Sequence, residues 1–590
     1  MRKSLILVLL FVSAAVAYAQ KDMRQVQDYE ELTDTKPHDG PNVWGRMDAP
    51  AKLGWGSVGV RYPKQDVPDV RPGGVVRLTA WKGERVHAQA VLWTNRDLEG
   101  VNVSVSALKH GRNAIPASDV STHFVRYVMT DELNRDGSGG CGHRENKAEW
   151  DSLMVADVLD IIDVRNVKAC TVQPIWLKVW VPQDMPVGKY KGELTVSGEN
   201  FSPMSLKVEI DVIDRVLPAP GEWALHLDMW QNPYAVARYY QVPLWSREHF
   251  DRMLPVMKML ADVGQRAITA SIIHKPWNGQ TEDHYDSMIT RIKKIDGTWS
   301  YDYTVFDRWV EFMMDEVGID EMINCYTMIP WDLRFDYYDQ ATNRVQFVMA
   351  KPGDEAYAEY WHAFLKDFSR HLREKGWFGK TLIAMDERPM EAMRVAIDVI
   401  RKADPEFKIS LAGNYHPEIV ADLYYLSIPY GHTFPDDVIA GRRSKGQISC
   451  VYTCCTECFP NIFTFSDPSE ATWTAMHALA AGYDGYLRWA VNSWTADPLR
   501  DSRFRLFAAG DTYSIYPGPR SSIRFERFME GLQYCEKVRV LRNELEMKGA
   551  EAKLKKLEDA VLLFTPKGMD ESGLSADECV TKLARLLNTL

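Results

Sequence analysis

Residues 382–389 read Leu-Ile-Ala-Met-Asp-Glu-Arg-Pro, an apolar run that ends in two adjacent carboxylates. A run without alternation is the pattern of a strand buried on both faces, and Pro389 is suited to the first turn of a helix that continues through Met393 and Ile397. Asp386 and Glu387 therefore stand where a buried strand stops. Neighbours in a regular strand point to opposite faces, so both side chains enter one site only if the backbone bends there. Two roles suit the pair. It could cap the following helix and favour its dipole. It could also do acid/base chemistry, although adjacent carboxylates are poorly placed to flank a scissile bond across ~5–10 Å as an opposed pair does. Adjacent carboxylates fit the substrate-assisted exception, in which the substrate's own 2-acetamido oxygen attacks the anomeric carbon. Glu387 would then protonate the leaving oxygen, and Asp386 would hold the acetamido N–H and stabilise the oxazolinium that forms.

Such a pair needs a scaffold, and the sequence from about residue 222 repeats strand, loop, helix. Candidate strands run over Ala224 to Trp230, Ala267 to Ile273, Met322 to Met328, Leu382 to Asp386, Lys408 to Ala412, Tyr424 to Ile428, Ile448 to Thr453 and Gly485 to Ala490. Helix signals lie between them. Ser246 opens a segment whose Phe250, Leu254, Met257 and Leu260 share a face and which ends at Gly264. Asp467-Pro468 with Glu470 has capping-box spacing. Eight such repeats predict a (β/α)8 barrel, with a doubly wound open sheet as the other arrangement of the same pattern.

In a barrel the reacting groups sit at the C-terminal strand ends. Read in order, those ends carry Trp230 and Asn232, then His274, Tyr326, Asp386 and Glu387, Asn414 and Tyr415, Tyr452, and finally Trp489, Asn492 and Trp494. Rings that stack on C–H faces, mixed with amides and carboxylates that bind hydroxyls, suit a polyhydroxylated ligand. Each position has a plainer reading beside that one. Trp489 and Trp494 could pack the barrel, Tyr415 and Tyr452 could be core residues rather than partners of an acetamido carbonyl, and His274 could be a structural imidazole. Arg524 and Glu526 read as braces of the last barrel helix.

The remainder of the chain sets the context. Arg2 and Lys3, the apolar stretch Leu5 to Val12 and Ala17-Tyr18-Ala19 read as a signal peptide over residues 1–19, which predicts export to the periplasm or beyond the cell. Residues 20–216 predict an antiparallel β-sandwich, with alternating strands at Arg85 to Trp93, Val101 to Leu108, Ile175 to Val181 and Tyr190 to Val196. The Pro- and Gly-rich Leu217 to Gly221 ends that domain, residues 222–537 form the barrel, and 538–590 a helical C-terminal segment. A net charge of -11 without a dense basic run argues against nucleic acid as partner. No stretch after the leader is apolar enough for stable membrane insertion. Nine cysteines, an odd count, leave at least one thiol unpaired within the monomer. Cys450, Cys454, Cys455 and Cys458 crowd together, but without the paired knuckles of a zinc site, so burial or disulfide bonding is expected and no metal or cofactor is predicted.

The chain resembles glycoside hydrolase family 123. The likeness rests on Asp386-Glu387 after the fourth strand, on Gly485-Tyr486-Leu487-Arg488-Trp489-Ala490 with Asn492 and Trp494, and on Gly510-Asp511, Tyr516-Pro517-Gly518 and Ser522-Ile523-Arg524. That resemblance implies a sandwich domain before a (β/α)8 barrel and a β-N-acetylgalactosaminidase that removes terminal β-linked GalNAc from glycans, glycosphingolipid glycans among them. It implies Glu387 as acid/base and Asp386 as the residue that orients the acetamido group. The four-cysteine cluster has no counterpart in the family pattern. Two other functions fit the residues: a β-N-acetylglucosaminidase of the same mechanism, and a glycan-binding protein without turnover.

Overall fold

The structure, a computed structural model, describes residues 30–590 apart from 134–139 and 143–149, so the leader expected at 1–19 lies outside the described residues. Up to Val216 the described chain is β apart from a short helix at Pro41–Trp44 and a 3-10 turn at Ala117–Asp119. One five-stranded sheet contains Ala51–Gly56, Arg85–Thr94, Thr171–Trp180, Val120–Asp131 and Ser152–Leu159 in that spatial order. A second contains Val75–Lys82, Met204–Val216, Gly188–Ser197, Leu98–Val105 and Val164–Val167, with two short strands at its margin. Alternate residues of both sheets meet in one buried core, for example Ala90, Leu92, Ile175 and Leu177 with Leu194, Val196, Val208 and Ile210. The expectation of wholly antiparallel pairing is corrected at one place, because Val75–Lys82 runs parallel to Met204–Val216. After Lys82 the chain turns at Gly83, whose φ of +87° suits glycine, and Arg85–Thr94 joins the other sheet. Val75–Lys82 is thereby left as an edge strand with no hairpin partner to fix its direction.

After Val216 the prolines hold a short 3-10 turn at Pro220–Glu222, and the strand–helix alternation begins. Its strands are β1 His226–Met229, β2 Ala267–Ser271, β3 Met322–Tyr326, β4 Thr381–Asp386, β5 Lys408–Ala412, β6 Tyr425–Pro429, β7 Ile448–Tyr452 and β8 Gly485–Arg488. They form one parallel sheet of eight strands in the order β1-β8-β7-β6-β5-β4-β3-β2. The two edges meet. Arg266 N donates to Leu227 O at 2.9 Å, and the side-chain amides of Gln265 and Gln231 continue the seam, Met229 N donating to Gln265 Oε1 and Thr269 N to Gln231 Oε1, both at 2.9 Å.

The helices read from sequence are present. Helix α1, Pro233–Tyr240, follows β1, and α2, Arg247–Ala261, is capped by Ser246 Oγ, which accepts from His249 N at 3.2 Å. Helix α3, Met390–Ala403, follows the carboxylate pair. Helix α4, Pro468–Ala480, has the Asp467/Glu470 capping box. Helix α5, Ile523–Met547, runs unbroken through residues 537 and 538, where the helical segment was expected to begin, and three further helices close the chain. The sequence did not suggest a small sheet built from the connections after β2 and β3, comprising Thr290–Lys293, Trp299–Asp302, Arg334–Asp339 and Arg344–Met349. Arg291 of this sheet is buried against the rings of Tyr360, Trp361 and Phe364.

The all-β region and the eight-stranded unit are joined through buried charges. Asp157 accepts from Arg524 Nε at 3.0 Å, Arg61 Nη1 at 3.0 Å and Tyr516 Oη at 2.6 Å, and Asp160 takes Arg520 at 3.0 Å together with Arg126. Arg524 and Glu526, expected as braces, lie in this interface. Burial alone would raise the Glu526 carboxyl, but Lys178 and His87 bring it down to about 2.

Candidate active site

At the C-terminal ends of the strands lies a cavity of about 390 Å³ whose lining includes six aromatic rings and whose carboxylates are Asp386 and Glu387. The backbone change that follows β4 brings both to it. Asp386 Oδ1 accepts from Glu387 N at 2.9 Å, and Asp386 Oδ2 accepts from Trp331 Nε1 at 3.3 Å. Burial is the main reason that the Asp386 carboxyl titrates above the ordinary range; the Glu387 N–H, Trp331 and the charge of Arg388 oppose the rise. Glu387 is exposed to the cavity, and Asn414 Nδ2 donates to its Oε1. Gly413 makes that approach possible, since a Cβ there would stand 3.3 Å from the Glu387 Cβ. Neither carboxylate caps α3: its N-cap is Pro389, with no side-chain cap bond. The helix-capping reading of the pair therefore fails, and both side chains are left for the cavity.

The remaining wall comes from the two ends of the sheet. Trp230 stacks on Trp277 with ring centroids 4.9 Å apart, and Tyr452 and Trp489 add to the lining from β7 and the end of β8. Trp489 Nε1 donates to Asp511 Oδ2 at 3.2 Å, and Arg488 Nη2 donates to Asp511 Oδ1 at 2.7 Å. Arg488 is fully buried and also donates to Thr453 O and Asn461 Oδ1, which ties the loops after β7 and β8 into one piece. Burial pushes the Asp511 carboxyl up to about 6, with Arg488 and the Trp489 N–H opposing.

Of the residues expected at the site, Asp386, Glu387, Trp230, Tyr452 and Trp489 line this cavity, and Asn414 reaches it through Glu387. The others have different places. Asn232 is buried; it caps α1 through Ala235 N and donates to Ser493 Oγ, while Asn492 donates to Asn232 O at 2.8 Å. Those two amides join the loops after β1 and β8, so their hydrogen-bonding capacity is committed before any ligand arrives. Trp494 is 0% exposed, and its Nε1 donates to Ile515 O at 2.8 Å. Tyr326 lies beneath the cavity wall, 1% exposed, with its ring 4.4 Å from that of Trp230. His274 pairs with Asp286 at 3.0 Å, and Tyr415 packs edge-on to Phe434; neither lines the cavity.

Other contributors went unread in the sequence, among them Trp277 and Gln280 after β2, Trp331 after β3, Phe507 after β8 and Cys141 from the all-β region. Trp277 and Trp331 do carry a signal, a Trp a few residues beyond a strand end. The cysteine cluster resolves in part. Cys455 forms a disulfide with Cys141, 314 residues away, while Cys450 is buried in β7, and Cys454 and Cys458 are free thiols. Among the described residues, no group of three or more His, Cys, Asp or Glu is placed to hold a metal ion, and no helix is long and apolar enough to cross a membrane.

The catalytic-domain model of glycoside hydrolase 123 matches residues 230–541, and the glycoside hydrolase 123 N-terminal domain model matches residues 55–198. A family 123 glycoside hydrolase from Clostridium perfringens, described for glycolipid glycan hydrolysis, has a similar structure: TM-score 0.80 at 24% identity, over 92% of this chain and 97% of its own. A Bacteroides ovatus GH5 xyloglucanase in complex with a XXXG heptasaccharide reaches a TM-score of only 0.28 at 10% identity, over 78% of this chain and 98% of its own. Comparison with curated proteins gives no match.

Proposed function

The chain belongs to glycoside hydrolase family 123, and from that membership we propose that it is an exported exo-acting β-N-acetylgalactosaminidase with a sandwich domain ahead of a (β/α)8 catalytic barrel. The observation that carries this reading is the unlike setting of two adjacent carboxylates. Asp386 is held inward by Trp331 and by the backbone of its neighbour, while Glu387 faces the open cavity. In the first step the acetamido oxygen of the terminal sugar attacks the anomeric carbon as the glycosidic C–O bond breaks, and Glu387 gives its proton to the leaving oxygen. Asp386, as the carboxylate, accepts the acetamido N–H and offsets the positive charge of the oxazolinium. Water then attacks the anomeric carbon as its bond to the acetamido oxygen breaks, which restores the acetamide, and Glu387 takes the water's proton. Two inversions leave the configuration retained. Trp230, Tyr452 and Trp489 supply the rings on which the sugar stacks, within a volume that suits a small saccharide. The proposed source of the sugar, a glycolipid glycan, follows the description of the clostridial relative.

The test is hydrolysis of aryl β-GalNAc and aryl β-GlcNAc, with the anomer of the first-formed product followed by NMR and a thiazoline analogue of the oxazolinium as inhibitor. Cleavage of the GalNAc substrate with retention and tight inhibition is expected. Preference for GlcNAc would move the specificity to the C4 epimer, an inverted product or indifference to the thiazoline would remove substrate assistance, and binding without turnover would leave a lectin.

A further inference from the structure

The cavity has two tiers. Trp230, Asp386, Ala412, Tyr452, Leu487 and Trp489 stand at or beside strand ends and form its depth. Cys141, Cys455 and Phe507 form one side of its rim and come from loops, the first of them from the all-β half of the chain. Cys141 is paired with Phe507 in an antiparallel bridge, and Gly142 N donates to Leu506 O at 2.9 Å. The disulfide fixes the same point to the loop after β7. Phe507 in turn sets its ring edge-to-face on Trp489, centroids 5.1 Å apart. Further links stiffen this joint: Met129 N donates to Arg500 O at 2.8 Å, Ser502 N to Met129 O at 2.9 Å, and the Thr130 and Thr464 hydroxyls lie 2.6 Å apart. The interior under the cavity is closed by buried Tyr326, Asp228 and Asn324. Whatever is attached to a sugar seated at the strand ends must therefore leave past the rim. On this side, among the described residues that line the cavity, it meets a half-buried phenyl ring and a disulfide.

We propose that the rim made by the Cys141–Cys455 disulfide and Phe507 is the subsite for the neutral sugar that departs with the glycosidic oxygen, so that the all-β half of the chain takes part in choosing the substrate. This rests on the glycosidase reading above. A ring such as Phe507 offers a face to the C–H surface of that second sugar, and the disulfide holds the ring in place before binding, which reduces the ordering cost of association.

The experiment compares kcat/KM on an aryl β-GalNAc, whose leaving group is not a sugar, with kcat/KM on an oligosaccharide ending in β-GalNAc. It uses the whole chain as wild type, as Cys141→Ser/Cys455→Ser and as Phe507→Ala, and non-reducing peptide mapping establishes the Cys141–Cys455 link. Both variants are expected to lose about tenfold more on the oligosaccharide than on the aryl substrate, equivalent to ~1.4 kcal/mol. Equal losses on both substrates, or none on either, would overturn the subsite. Phe507→Ala keeps the test open if the double variant fails to fold. A wild type that cleaves neither substrate would sink the glycosidase reading itself, which is a different result from an active enzyme with an indifferent rim.

Discussion

On the β3–β5 side of the cavity Glu387 is exposed, Asn414 is half-buried, and Trp331 shows 51% of its surface while covering Arg388 at 3.8 Å from ring centre to guanidinium. On the β7–β8 side Leu487 and Cys455 are buried, Trp489 is held by Asp511, and a disulfide and a backbone bridge fasten the wall to the other half of the chain. The first side has the freedom that proton exchange with substrate and water requires. The second is assembled in advance, which is what a stacking surface needs, because a ring ordered before binding loses little entropy on contact. On the proposed mechanism, reactive and recognising functions are thus divided between opposite walls.

Substitutions on the two walls should differ in kind as well as size. The largest effect is expected at the carboxylates. Glu387→Gln should lower kcat by about 10²–10⁴, and Asp386→Asn by about 10²–10³, with the product sugar still bound on the untouched opposite wall, while Asp386→Asn also weakens the thiazoline whose charge it would offset. Loss of binding equal to the loss of turnover, measured by calorimetry, would break the division. Next is Asp511→Asn on the recognising wall, where a rise of about tenfold in KM is expected, the size of one weakened stacking contact. The sign of its pH dependence follows from the carboxyl standing near 6. Above that pH the ionised Asp511 accepts from Trp489; below it protonation weakens the acceptor, so wild-type KM should climb as pH falls through 6. The Asn variant should lack that step, and a variant that keeps it would detach Asp511 from Trp489. The smallest effect is expected from Trp331→Phe. Removing the indole N–H takes away a donor that stabilises the Asp386 carboxylate, so its pKa should rise further and the acidic limb of the kcat profile should move to higher pH by about half a unit. A shift toward lower pH would contradict the hydrogen bond.

The scaffold was more legible than its loops, for a physical reason. Strands such as Leu382 to Asp386 and Lys408 to Ala412 are buried on both faces, so burial writes a continuous apolar run into the sequence, and prolines and capping boxes mark the helices between them. The small sheet over β2 and β3 carries no such signature. Its Arg344–Met349 strand is partly exposed, and the buried member Arg291 reads as a surface charge until the rings around it are seen. Strand-end position identified Trp230, Tyr452 and Trp489 but could not separate them from Asn232, Asn492 and Trp494, because spacing does not reveal which hydrogen bonds are already made inside the protein. The partner of Cys455 was illegible for another reason. It lies in the other half of the chain, and nothing local to either cysteine encodes a contact across 314 residues.

The seam between β1 and β2 has a consequence for the order of assembly. β1 is held by backbone pairing to β8, Trp230 N donating to Arg488 O at 3.0 Å, and to its sequence neighbour β2 by one backbone bond, glutamine amides and the Thr269 hydroxyl. A growing polypeptide thus makes its first barrel strand some 250 residues before the strand that receives it. The sheet can be laid down from β2 through β8 as the chain emerges, while β1 waits, and the late arrival of β8 both closes the ring and sets Trp230 beside Trp489. Truncation just before residue 485 would leave a sheet with both edges unsealed and Trp489 and Phe507 missing from its aromatic wall.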